Sequence, residues 1–511
     1  MKTMGELLER NAHFFADQLA LVYEDRRFTH AEHGARCLRL ADALYRLGLR
    51  RQDRVSILAM NCSEYLEVLN ACYIAGYIAG TVNFRLAPPE FQFILNDSAP
   101  RVLIFEAQYA AVVNALRAEL PGVEHYLCIG GAVDWAHDYE TLLASGAEAG
   151  PPIRARAGDA ANLIYTSGTT GRPKGVIHGH ACELAQAREM AMILDMRPDG
   201  RMLEVMPYFH VGAQSSGSGA LWRGAAVFVQ RAFDPAAVLR AVARERITTL
   251  HLVPLMVQAL LDAPELADSD VSSLETILYA AAPMPVPVLR RALKIFGPIF
   301  VNAWGQTEGT GTFLPKHVHK PDGTPEEVRL LASIGQIRQG GELRIVDETG
   351  RDCALGEPGE LLLRAESMMS GYWNNSAATA ETLRDGWLHT GDMGYFDAHG
   401  YVFLVDRKKD MIISGGENIY SQEVEQALAE HPAVAQVAVI GVPDEKWGES
   451  VKAIVVLKPG ASVAAEALSA HCATLIASYK RPRFVQFVAQ LPVLPSGKVN
   501  KVALRELYGK G

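Results

Sequence analysis

Apolar runs that read as strands alternate with runs that read as helices along the whole chain, and this alternation limits the fold more than any other feature. A chain of that pattern layers helices on a largely buried sheet, so it predicts an α/β protein. Asp234 is placed to cap a helix with Pro235 at its first position and Val238, Leu239 and Val242 on one face. Ile247 to Val253 follows as a β-rich run. Ser421 is expected to cap a second helix reaching His431, with Glu423 and Glu425 near its positive start. Val434 to Val442 and Val451 to Leu457 then read as buried strands. The charged junction Asp406-Arg407-Lys408-Lys409-Asp410 lies between two apolar runs. It predicts a large N-terminal domain of several subdomains over 1–406, a hinge at 407–409 and a small mobile α+β domain over 410–511.

The 511 residues allow about three domains, and a mean hydropathy of +0.05 fits a globular protein with a substantial core. Net charge is 49 − 58 = −9, with both signs mixed along the chain. A groove that tracks phosphates needs clustered Lys and Arg, so no nucleic-acid partner is expected. The seven cysteines are scattered and odd in number, without a C-x-x-C pair, which argues against a disulfide framework or zinc site. The apolar run Val68 to Val82 is broken by Asn70, Gly76 and Gly80, so no integral membrane segment is expected. With no signal-peptide core at Met1 to Glu6 and no targeting tripeptide at the end, the expected location is the cytoplasm.

The most informative stretch is Thr166-Ser167-Gly168-Thr169-Thr170-Gly171-Arg172-Pro173-Lys174-Gly175, between Leu163-Ile164-Tyr165 and Val176-Ile177-His178. Its glycines permit close approach of backbone to a ligand, and successive N–H groups in such a turn converge on an anion. Ser167, Thr169 and Thr170 add hydroxyl donors and Lys174 a cation, a set suited to a triphosphate. It is not a Walker A loop, because Gly175 follows Lys174 where that motif needs a hydroxyl. No dinucleotide fingerprint and no nucleophile elbow occurs either. The alternative is an exposed Gly/Thr loop.

This loop resembles that of the acyl-adenylate-forming enzymes, which include AMP-forming acyl-CoA synthetases, and the resemblance covers nearly the whole chain. Trp304-Gly305-Gln306-Thr307-Glu308 is similar to the family's aromatic-Gly-x-Thr-Glu segment. The resemblance implies that Glu308 holds Mg²⁺ on the phosphates, that Thr307 reaches the α-phosphate, and that Trp304 stacks on adenine where the family has Tyr. Ala280-Ala281-Ala282 resembles the segment beside adenine and the acyl pocket, with Ala280 replacing a common Gly. Asp392 is similar to the ribose-binding carboxylate, and Arg407 to the arginine that reaches ribose or phosphate. Lys409 falls at the hinge position, Ser414-Gly415-Gly416 at the loop bordering the pantetheine tunnel, and Lys498 at the mobile catalytic lysine. His210, in Pro207-Tyr208-Phe209-His210, resembles a residue at the acyl pocket mouth, although a satisfied core histidine is an equal reading. His178 with His180, and His317 with His319, have i,i+2 spacing, which without a third ligand points to structural or surface roles.

The implied activity is that of an ATP-dependent carboxylic acid–CoA ligase, with ATP, Mg²⁺ and coenzyme A as cofactors. The acid attacks the α-phosphate of ATP, and the acyl group of the resulting adenylate passes to CoA. Transfer to a carrier protein is the alternative. No Arg or Lys is evident in the pocket-like segments, so the expected acid is a hydrophobic monocarboxylate, fatty or cyclic/aromatic. Assembly is left open, a homodimer included.

Overall fold

The computed structural model describes residues 1–166, 173–414, 417–494 and 498–509. Among them, an α/β architecture carries two large sheets. In the first, strands Phe300–Gln306, Thr276–Ala280, Thr249–Leu252, Arg201–Glu204, Ala226–Val229 and Leu19–Tyr23 run parallel in that spatial order, with antiparallel strands at both edges. In the second, Ile78–Thr81, Arg54–Leu58, Val102–Glu106 and His125–Ile129 lie parallel to Ala160–Thr166, whose other neighbour, Lys174–Gly179, is antiparallel. Helices Met4–Phe14, Ser63–Ala75, His180–Ile193 and Val211–Arg223 pack between the sheets, and they share a core that includes Leu7, Val68, Ala187, Met202 and Leu278. Ligands favour the carboxyl ends of such parallel strands. No helix among the described residues is long and apolar enough to cross a membrane.

The helix after Asp234 forms as read: Pro235–Glu245 begins with the Asp234 carboxylate accepting from the Ala237 N–H. That cap contributes about 1 kcal/mol, and each of the buried Val238, Leu239 and Val242 about 2 kcal/mol. The following strand is Thr249–Leu252, a residue or two shorter at each end than the β-rich run.

Gly341–Val346, Gly359–Ala365, Trp387–Phe396 and Val402–Arg407 form a smaller antiparallel sheet. Beyond it lies a unit built on the antiparallel pair Val434–Asp444 and Gly448–Leu457, with its own core of Val424, Leu428, Val439, Ala453 and Val455. The second helix differs from the reading of its cap. It runs Ser421–Ala429, Tyr420 holds the cap position without a side-chain bond, and Ser421 is the first helical residue. The Ser421 N–H donates instead to the Asp406 carboxylate, while the Lys501 ammonium donates to the Ser421 hydroxyl at 2.5 Å. A carboxylate from outside the helix thus takes over the work of a local cap.

Candidate active site

Strands Ala160–Thr166 and Lys174–Gly179 pair antiparallel with Thr166 opposite Lys174, on either side of the Gly/Thr stretch. Ser167, Gly168, Thr169, Thr170 and Gly171 lie outside the described residues, as do Gly415 and Gly416. At the loop's foot, the Lys174 ammonium sits 5.0 Å over the ring of Tyr372. The Tyr372 hydroxyl donates to Glu308 Oε1 at 2.7 Å, and burial followed by the Glu308 charge pushes the phenol pKa up. A chain of three groups therefore ties the loop lysine to the carboxylate.

Thr307 and Glu308 follow strand Phe300–Gln306, and backbone contacts hold both. The Glu308 carbonyl accepts from the Met369 N–H at 2.8 Å. The Thr307 carbonyl accepts from His178 Nε2 at 2.7 Å, and His178 Nδ1 lies 2.9 Å from Glu183. His178 is fully buried, an internal strut rather than a surface residue. His180 and His319 are also buried, and His317 is exposed.

Asp392, on strand Trp387–Phe396, is 4% exposed and collects three donors. Trp304 Nε1 and Gln306 Nε2 each donate to Oδ2 at 3.0 Å, and Arg407 Nε lies 2.5 Å from Oδ1. Arg407 is opposite Asp392 in the sheet register, which explains the contact. A carboxylate has about four acceptor sites, so three protein donors leave room for one more. Trp304 is buried against Gly311, whose added Cβ would lie 2.3 Å from its ring. Ala280 ends strand Thr276–Ala280, and Ala281 takes φ +74°. For a residue with a Cβ, that conformation costs on the order of 1 kcal/mol.

The small C-terminal unit delivers Lys498 to this place. Burial pushes its pKa down and the Arg407 charge adds to that, while Asp392 and Glu308 pull it up. His210, the residue preceding helix Val211–Arg223, is held at a pKa of about 4, first by burial and then by the charges of Lys498 and Arg85. Its Nε2 is buried without a partner among the described residues. Ser414 pairs instead with Glu417 and Gly448 inside the C-terminal sheet. The site therefore gathers Lys174, Glu308, Asp392, Arg407, Lys498 and His210.

At the junction, the Lys408 N–H donates to the Gly391 carbonyl and its ammonium to Glu360, both in the large domain. Asp410 accepts from Arg505 at 2.7 Å in the C-terminal unit. Lys409 lies between these two anchors and is exposed.

Four buried histidines contribute stability that is lost in acid. Burial holds His33 at a pKa of about 3, and His210, His251 and His319 at about 4. The unfolded chain binds protons from about pH 6.5 downward that these folded sites refuse, so their contribution to stability falls between about pH 6.5 and 4. Glu204, raised by burial to about 8, acts with the opposite sign above its ordinary value of 4.5, as do the carboxyls of Glu67, Glu189, Asp406 and Glu425, which burial also raises. Denaturant melts across this range should show His33→Asn flattening the acid loss. An unchanged slope would count against His33 as a contributor.

Sequence reasoning overlooked Tyr372 and the part played by Gln306. Tyr372 reaches the site because the short strand Gly371–Tyr372 pairs with Lys174–Gly179, far earlier in the chain, a contact with no local signature.

The pattern of the AMP-binding enzyme family matches residues 8–373, and that of the AMP-binding enzyme C-terminal domain matches residues 423–498. The chain is 38% identical to a feruloyl-CoA synthase from Amycolatopsis sp over 99% of both proteins. It is 34% identical to the long-chain-fatty-acid–CoA ligase FadD13 of Mycobacterium tuberculosis, again over 99% of each. The anthranilate CoA ligase AuaEII, solved with anthranoyl-AMP, superposes with a TM-score of 0.91 at 29% identity, covering 99% of this chain and 97% of that one.

Proposed function

The chain belongs to the AMP-binding enzyme family and is an AMP-forming acyl-CoA synthetase, and from that premise we propose that it activates a hydrophobic monocarboxylate, fatty or cyclic/aromatic. The observation that carries this reading is that Lys498, from the small domain, stands in the field of Glu308 and Asp392 of the large one and of Arg407 at the hinge. In the first step a carboxylate oxygen of the acid attacks the α-phosphorus of ATP, and the bond to pyrophosphate breaks. Lys498 offsets the negative charge that crowds between acid and phosphate, and neutral His210 turns an unspent ring nitrogen toward the acid. Lys174 and the hydroxyls of the 166–171 loop receive the triphosphate, with Thr307 at the α-phosphate. Asp392 accepts from ribose, Arg407 reaches ribose or phosphate, and Trp304 with Ala280, Ala281 and Ala282 borders adenine.

Mg²⁺ fits this donor set as an ion that arrives on ATP. Glu308 supplies one carboxylate, and no cage of three or more acidic, His or Cys groups gathers among the described residues. Mg²⁺ commonly takes one or two carboxylates and fills its other positions from phosphate and water. When bound, it neutralises the leaving pyrophosphate.

In the second step the thiol of coenzyme A attacks the acyl carbon and AMP leaves. The proposed hinge at 407–409 turns the small domain, withdrawing Lys498 and presenting Ser414, Gly415 and Gly416 to pantetheine. The anchors on Lys408 and Asp410 favour a pivot at Lys409. Lys409→Pro therefore slows thioester formation at least about tenfold more than adenylate formation, because a fixed φ opposes the turn. Equal effects on both half-reactions, measured by single turnover, would remove Lys409 as the pivot.

A panel of carboxylates assayed for AMP release and acyl-CoA tests the whole reading. Acyl hydroxamate formed with hydroxylamine but no acyl-CoA would favour transfer to a carrier protein.

A further inference from the structure

Beneath the nucleotide segment, the sheet carries a polar relay that neither half-reaction uses. Glu204 ends strand Arg201–Glu204, and His251 is the third residue of Thr249–Leu252. Leu203 pairs with Leu250, so Glu204 and His251 are neighbours across the strands. Leu203, Leu250 and Leu252 pack into one core with Ile277 and Tyr279. Strand alternation therefore turns Glu204 and His251 to the opposite face, which they share with Met202, Leu278 and Val301.

Helix Val211–Arg223 covers that face. Its Ser216 hydroxyl lies 2.9 Å from Glu204 Oε2 and 3.2 Å from His251 Nδ1, and the Met206 N–H donates to Glu204 Oε1 at 2.9 Å. Glu204 and Ser216 are wholly buried, and His251 is 3% exposed. Every member is paired except His251 Nε2, which is buried without a partner among the described residues. Burial keeps the carboxyl of Glu204 protonated to a pKa of about 8 and the imidazole neutral to about 4. The unpaired nitrogen therefore belongs to a neutral ring.

Small residues separate this nitrogen from the reacting end of the site. Gly212 follows His210 by two positions, and a Cβ there would lie 3.1 Å from His251 Cε1 and 3.9 Å from Nε2. A side chain at position 212 would crowd that edge of the ring. On the same face, one pair beyond Leu278 and Val301, Ala280 stands opposite Ala303. His251 is paired with Leu278, so it lies about 7 Å, two residues of strand rise, below Ala280.

We infer that the acyl pocket ends on His251, and that the acid activated here is short and carries a hydroxyl at the end remote from its carboxylate. This rests on the proposed ligase reading, which places the carboxylate beside Lys498 and His210. A fatty tail would leave Nε2 buried and unpaired, at a real cost. A hydroxyl both donates and accepts, so it pairs with Nε2 in either tautomer. Ser216 and Glu204 act as positioning residues, holding the ring through Nδ1.

The test compares kcat/KM for acyl-CoA formation within matched pairs: 4-hydroxybenzoate and benzoate, 4-hydroxycinnamate and cinnamate, 6-hydroxyhexanoate and hexanoate. The wild-type enzyme should favour the hydroxylated member of its best pair by roughly 10- to 1000-fold. His251→Leu should bring that ratio close to one, and Ser216→Ala should reduce it chiefly through KM. Ratios near one in every pair for the wild type, or a ratio that survives in His251→Leu, would overturn the inference. If His251→Leu does not fold, an unchanged ratio in Ser216→Ala does the same. Turnover of acids without hydroxyl preference defeats this inference alone, whereas no acyl-CoA from any acid defeats the ligase reading beneath it.

Discussion

Lys498→Ala lowers adenylate formation by about 10²- to 10³-fold, while thioester formation from supplied acyl-adenylate and coenzyme A stays within a few-fold of wild type. The size follows from removing one preorganised donor from a transition state that gathers negative charge. The selectivity follows from geometry. Lys498 stands in the field of Asp392, Glu308 and Arg407 in this arrangement, whereas Ser414 is paired within its own sheet. On the proposed reading, the first half-reaction uses the arrangement described, and the second uses one in which the lysine has left. Single-turnover assays of the two halves separate these steps. Equal losses in both would mean that Lys498 serves substrate binding in general.

Asp392→Ala has a different signature, in which stability and nucleotide affinity fall together. The substitution strands Trp304 Nε1, Gln306 Nε2 and the Arg407 guanidinium, all of which meet on this carboxylate. Leaving a buried charge without its partner typically costs about 3–5 kcal/mol. Arg407 is 38% exposed, so solvent repays part of its loss and the lower end applies. A loss of about 3 kcal/mol appears as a lower melting temperature, and the ATP affinity should fall by about a hundredfold. Asp392→Asn should be milder, because one acceptor oxygen remains. A variant with wild-type melting and wild-type ATP affinity would show that the three donors find other partners and that ribose does not need this group.

The parts of the site that were legible beforehand are those whose chemistry is local in sequence. The strands on either side of the Gly/Thr stretch, the run from Trp304 to Glu308, and the Asp234 cap each announce themselves within a short stretch of chain. What could not be read depends on contacts between distant segments. Ser421 has the composition of a helix cap, yet the Asp406 carboxylate fills that place from 15 positions away. Tyr372 looks like a core aromatic until its strand is seen beside Lys174. His178 looks like half of an incomplete metal pair, and its role emerges only when Thr307 folds against it. The Glu204, Ser216 and His251 relay draws one residue from each of two strands and a helix, so no spacing rule could find it.

The central claim is that these distant segments converge on one magnesium nucleotide, with Lys498 completing the charge. Isotope exchange between pyrophosphate and ATP, followed with and without a carboxylate, tests it most directly. Acid-dependent exchange that needs Mg²⁺ and is lost in Lys498→Ala is expected. Wild-type protein that exchanges no label with any acid in the panel would contradict it.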